Sequence, residues 1–104
     1  MQSLGQLIAE ARKKRQLSQK GLASLIERED GKPISPQYLN DIERDRRTPG
    51  DHVLEQLASV LDLDSKLEYM YYLIGKWPAN LKGLSMDADT FTKAMRVFRR
   101  NNKD

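Results

Sequence analysis

The stretch SPQYLNDIERDRR, Ser35 to Arg47, decides how this chain is read. Serine caps helices well and proline is preorganised for the first helical position, so Ser35-Pro36 opens a helix. At about 100° per residue, Leu39 and Ile42 point towards a core. Gln37, Asn40, Asp41 and Arg44 face outwards, with Pro36, Tyr38 and Glu43 on the flanks. Every amphipathic helix has a polar outer face, and a solvated surface is one reading of this one. The other is a surface that lies against DNA. Glutamine and asparagine carry both donors and acceptors and match base edges in a major groove, most often those of adenine. Arg44, Arg46 and Arg47 can neutralise phosphates and position the helix. Asp41 repels phosphate, but it can accept a hydrogen bond from a cytosine amino group.

Helical patterns flank this stretch on both sides. Ser3 precedes a run in which Leu4, Leu7, Ile8 and Ala11 share one face, and Gln6 lies at capping-box spacing; the first helix covers about residues 4–15. Ser18 caps a second helix with Leu22, Ala23, Leu25 and Ile26 as its buried stripe. Glu27 to Pro33 breaks the pattern with charge, Gly31 and Pro33, and reads as a loop. After Thr48-Pro49-Gly50, Leu54, Leu57, Ala58 and Leu61 mark a fourth helix from Asp51. Ser65 and Glu68 form a second possible capping box, opening a fifth helix that Trp77-Pro78 stops. A sixth carries Phe91, Ala94, Met95 and Phe98. No strand pattern competes, and the fold class is all-α.

At 104 residues the chain supports one modest core, and with 38% hydrophobic and 7% aromatic residues that core comes mainly from leucine, isoleucine and alanine. The absence of cysteine removes disulfides, thiolate metal sites and cysteine nucleophiles, and fits a reducing compartment. No apolar run reaches membrane-spanning length, and the N-terminal segment places its basic residues after its apolar ones, the reverse of a signal peptide. The expectation is a soluble cytoplasmic protein with no membrane partner. The net charge of +3 is weak evidence, but its distribution is informative: cations cluster at Arg12–Arg15 with Lys20, at Arg44–Arg47, and at Arg96–Lys103.

LGQLIAEARKKRQLSQKGLASLI followed by ISPQYLNDIERDRRTPGDHVLEQLASVLDLD closely resembles the Cro/C1-type (XRE-family) helix-turn-helix domain of bacterial and phage repressors, over residues 4–64. The resemblance implies a five-helix, lambda-repressor-like domain whose third helix enters the major groove while the second crosses the backbone. It implies that Gln19, at the start of the second helix, contacts a phosphate, with Lys20 as a neighbour. Pro36, Gln37 and Asp41 occupy base-reading positions, and Asn40 shares their face. Arg44, Arg46, Arg47 and Thr48 lie in the segment that grips the far phosphates, and Tyr38 flanks the helix on the backbone side. Arg12 and Glu43 match a structural ion pair buried between the first and third helices.

Two departures stand out. The family's compact turn between the second and third helices is lengthened here by Glu27 to Ile34, an insertion of about six residues that includes Glu29 and Asp30. Either the second helix runs on or a loop bulges near the DNA, adding contacts through Arg28 and Lys32 or obstructing docking through its acids. Pro36 replaces a polar base reader with an apolar one suited to a thymine methyl or simply to starting the helix, which leaves sequence preference to Gln37 and to DNA shape.

Residues 65–104 read as a helical extension outside the resemblance. Tyr69, Tyr72, Leu73, Trp77, Phe91 and Phe98 suit either packing within the chain or a dimer seam, where aromatic residues bury area and keep a polar tip satisfied. A homodimer reading two half-sites makes sense of the front domain, because one such module makes few contacts. His52 is the one histidine and has no second soft ligand, so no metal or other cofactor is expected; no phosphate loop or nucleophile motif is present, and no enzyme is expected. The leading expectation is a sequence-specific transcriptional regulator of double-stranded DNA, a nucleoid-associated repressor on a palindromic operator. The alternative is a protein-interaction module, such as the antitoxin of a toxin–antitoxin pair or a coactivator-like adaptor, with a protein partner.

Overall fold

The computed structural model describes residues 2–76 and the helical Lys93. Trp77, Phe91, Phe98 and the rest of the expected sixth helix lie outside the described residues. The fold is all-α. Five helices are set out among residues 2–76: α1 (Leu4–Lys14), α2 (Gln19–Ala23), α3 (Pro36–Glu43), α4 (Asp51–Val60) and α5 (Leu67–Leu73), with one 3₁₀ turn, Asp64–Lys66, before α5.

The helix starts follow local chemistry. The Ser3 hydroxyl accepts from the Gln6 amide, while Gln6 Oε1 accepts from the Ser3 amide at 2.9 Å, completing a reciprocal capping box. Ser18 and Ser35 accept from the amides of Gly21 and Tyr38, capping α2 and α3. The other expected box is not formed. Ser65 lies inside the 3₁₀ turn rather than in extended backbone, and α5 begins after Lys66 with no side-chain cap.

The ends of α1, α3, α4 and α5 share one device. Gln16, Asp45, Asp62 and Gly75, each the second residue past its helix, adopt positive φ. The amides that follow them reach back to close the ends of the helices: Leu17 to Arg12, Arg46 to Asp41, Leu63 to Ala58 and Lys76 to Tyr71. Three of these four left-handed positions are not glycine, which costs roughly 1–2 kcal/mol each.

Residues 2–64 form one compact unit. Ile8, Leu22, Ile26, Leu39, Ile42, Leu54 and Leu57 are completely buried in it, and α3 packs on both α1 and α2. Leu25, expected in that core, is 52% exposed. Helix α2 ends at Ala23, so its helical spacing no longer governs residue 25, and the chain turns to carry Ile26 inwards instead. Helix α1 crosses α3 so closely at Gly5 that a Cβ there would lie 2.6 Å from the Ile42 carbonyl oxygen, and closer still to that of Glu43.

Ser65 onwards forms a second unit. In α5, Tyr69, Met70 and Tyr72 are buried, and the rings of Tyr69 and Tyr72 stack with centroids 6.1 Å apart. Leu73 is half-buried. Among the described residues no helix is long and apolar enough to cross a membrane.

Candidate nucleic-acid interface

The outward face of α3 is held in place by a polar network at its base. Glu43 accepts from Arg12 Nε at 2.7 Å, from Arg12 Nη2 at 3.0 Å and from Gln19 Nε2 at 3.0 Å. Arg12 Nη1 donates to the Leu17 carbonyl at 2.8 Å. The Arg12 and Glu43 side chains are only 12% and 6% exposed, so the ion pair is largely desolvated and its geometry must satisfy both charges. It links α1, the turn after α1, and the last turn of α3.

Gln19 stands at the start of α2, as expected. Its amide nitrogen donates to both Glu43 and Asn40 Oδ1, using both N–H groups on α3. Helix geometry alone gives the face of such a residue, not the partner it selects. The Asn40 oxygen also accepts from Arg44 Nε at 3.4 Å, which leaves its amide NH2 facing away from the network. Gln19 and Glu43 thus fix which way round the Asn40 amide sits.

Further out, Gln37 is exposed and donates to Asp41 Oδ1 at 3.1 Å, one turn along. Arg46 Nη1 lies 3.9 Å from the same oxygen. Asp41 therefore has a local cationic partner that offsets its repulsion of phosphate. Pro36 is exposed at the first turn of α3. Tyr38 is half-buried, and the Arg47 guanidinium stands 5.5 Å above its ring, holding the cation over an aromatic face. Arg44, Arg46, Arg47, Thr48 and Lys20 are exposed. The residues expected to touch DNA from the first 64 positions therefore lie on α3, on the turn after it, and at the start of α2.

The segment between α2 and α3 is a loop, as expected, folded back on itself into a short ribbon that holds no strand. Glu27 and Pro33 form an isolated antiparallel bridge, the Ile34 amide donates to the Ile26 carbonyl at 2.9 Å, and the Arg28 amide donates to the Lys32 carbonyl at 2.7 Å. Gln56 of α4 acts as a third partner, its Oε1 accepting from the Glu27 amide and its Nε2 donating to the Glu27 carbonyl. Nothing near residue 30 in the sequence signals that anchor, because it comes from 29 residues away. Among the described residues no group of three or more His, Asp or Glu side chains is placed to hold a metal ion.

No curated protein and no solved structure matches the chain. A family model described as helix-turn-helix does match, over residues 8–66, which is more than half of the sequence and spans most of α1, all of α2, α3 and α4, and the 3₁₀ turn. The chain belongs to the Cro/C1-type (XRE) helix-turn-helix family of DNA-binding regulators.

Proposed function

We propose that this protein is a sequence-specific transcriptional regulator that binds double-stranded DNA through α3, acting as a repressor on a palindromic operator as a homodimer. The observation that carries the reading is the arrangement of α3 itself. Its inner edge is pinned by Arg12, Glu43 and Gln19, while Gln37 and the free amide NH2 of Asn40 remain on its outer face, next to Arg44, Arg46 and Arg47. A pre-positioned helix loses little freedom when it enters a groove, so its polar groups can discriminate bases rather than merely adhere.

In this reading Gln37 and Asn40 contact base edges, and Asp41 accepts from a cytosine amino group or orients Gln37. Pro36 packs on a thymine methyl. Lys20, Arg44, Arg46, Arg47, Thr48 and the Tyr38 hydroxyl contact the sugar-phosphate backbone. Gln19 is a positioning residue: its side-chain donors hold α3. Two copies supply the contacts that one module lacks, through the unit that begins at Ser65.

The test is selection of bound sequences from random duplexes by the full chain, with the protein sized by light scattering. Enrichment of a palindrome by a dimer supports the reading. Weak binding that is independent of sequence and vanishes with salt overturns it, and would direct attention to protein partners and to the exposed acids Glu27 and Glu29.

A further inference from the structure

The ribbon between α2 and α3 is a built element. Its turn is closed by Gly31 at φ +85° and by Asp30, whose carboxylate accepts from Arg28 Nε at 3.2 Å, Arg28 Nη2 at 2.8 Å and the Lys32 amide at 3.0 Å. Its base is fixed by the buried side chains of Ile26 and Ile34 and by Gln56. A surface loop held at both ends in this way presents its side chains in a defined direction.

Between the ribbon and α3 lies an open groove of about 780 Å³. Arg28 and Lys32 line it from the ribbon; Gln37, Tyr38, Asp41 and Arg47 line it from α3 and the turn that follows. Three cations face one carboxylate, and that carboxylate already has Gln37 and Arg46 as partners. Glu27 and Glu29 are exposed, and neither lines the groove. Lys32 is exposed, and its ammonium has no hydrogen bond or ion pair among the described residues. Arg28 uses Nε and Nη2 on Asp30, which leaves N–H groups of its guanidinium directed elsewhere.

We propose that this ribbon is a second DNA-contacting element, in which Lys32 and Arg28 grip backbone phosphate beside the base pairs read by Gln37. The inference rests on α3 reading DNA. Gln37 is the link, because it belongs both to the reading face and to the wall of the groove, so a duplex seated on α3 carries one of its strands past the ribbon. The Arg28–Asp30 pair does not cancel the site. It holds the guanidinium upright at the turn, and the unpaired ammonium of Lys32 supplies the net charge. The insertion that lengthens the family's compact turn thereby widens the contact with the backbone while adding no base reader.

The test uses the full chain and the duplex it selects. Lys32→Ala removes no partner within the protein, so its fold is preserved, which a melting curve checks. Each lost phosphate contact should flatten the slope of log K against log [salt] by about 0.9. The single variant should therefore show one such step and Arg28→Ala/Lys32→Ala two, with the ranking of base preferences unchanged. Hydroxyl-radical protection should recede at the same phosphates. If neither Lys32→Ala nor Lys32→Glu alters the slope while Arg46→Ala flattens it, the ribbon does not touch DNA although α3 does. If the unmodified chain selects no duplex, both readings fall together.

Discussion

Arg12 meets Glu43 side-on, its Nε 2.7 Å from one carboxylate oxygen and its Nη2 3.0 Å from the other. This two-pronged contact joins α1 to the last turn of α3. Lysine at position 12 would supply charge without the fork. Glu43→Ala leaves a largely desolvated guanidinium without its partner, and the expected loss is about 3–5 kcal/mol. Replacing both residues together, as in Arg12→Met with Glu43→Leu, should recover most of that stability. Urea unfolding monitored by circular dichroism checks both; a double variant no better than the single would count against the ion pair as the source of the loss.

Gln37→Ala should relax base preference at one position of each half-site, costing about 1–3 kcal/mol there and little on random duplexes. Equal weakening on all sequences would show that Gln37 serves only as a backbone or packing contact. Competition binding with single-base variants of the selected duplex separates the two.

Gly5→Ala places a methyl against the Ile42 and Glu43 carbonyls, which belong to backbone and cannot swing aside. Overpacking at such a crossing costs about 1–3 kcal/mol. The substitution should lower the melting temperature, although alanine is the better helix former. An unchanged melting temperature would mean that α1 can slide on α3.

Gln56→Ala removes the side chain that bonds both backbone groups of Glu27. Amide exchange should accelerate at Glu27 and Ile34, with helices α1 and α3 protected as before. Uniform acceleration across the domain would instead assign Gln56 to global stability.

The Asp30 carboxyl is held below the usual carboxylate range, first by the Lys32 amide and then by Arg28. A depressed pKa in the folded state means that the ribbon turn is favoured above the ordinary value of 3.8 and loses that support as pH falls through the lowered value. Tracking the Lys32 amide by nuclear magnetic resonance should show a transition below pH 3.8, and Asp30→Asn should abolish it. A titration centred at or above that value would contradict the clip.

Local chemistry was legible in the sequence and distant partnership was not. The caps at Ser3, Ser18 and Ser35 depend on residues three positions away, and each forms as the spacing predicts. Ser65 has the same spacing to Glu68, yet the chain leaves α4 through a tight turn at Asp62 and Leu63 and winds directly into 3₁₀ geometry, so no extended capping residue exists. Leu25 fails for a related reason: periodicity describes a helix only while the helix lasts. The Arg12–Glu43 contact came from resemblance, since no spacing rule connects positions 31 apart. The ribbon and the inward turn of Gln19 were illegible because their partners, Gln56 for the one and Asn40 with Glu43 for the other, arrive only when the helices pack.

The carboxylate of Asp45, in the turn that ends α3, accepts from the Ser3 hydroxyl at 2.6 Å and from the Gly5 amide at 2.9 Å. The first turn of α1 is therefore moored beside the arginines that follow α3. Any peptide attached ahead of Ser3 leaves the domain at that spot, so a purification tag placed there crowds the proposed operator-facing surface. Binding constants obtained with such a fusion would describe the tag as well as the protein.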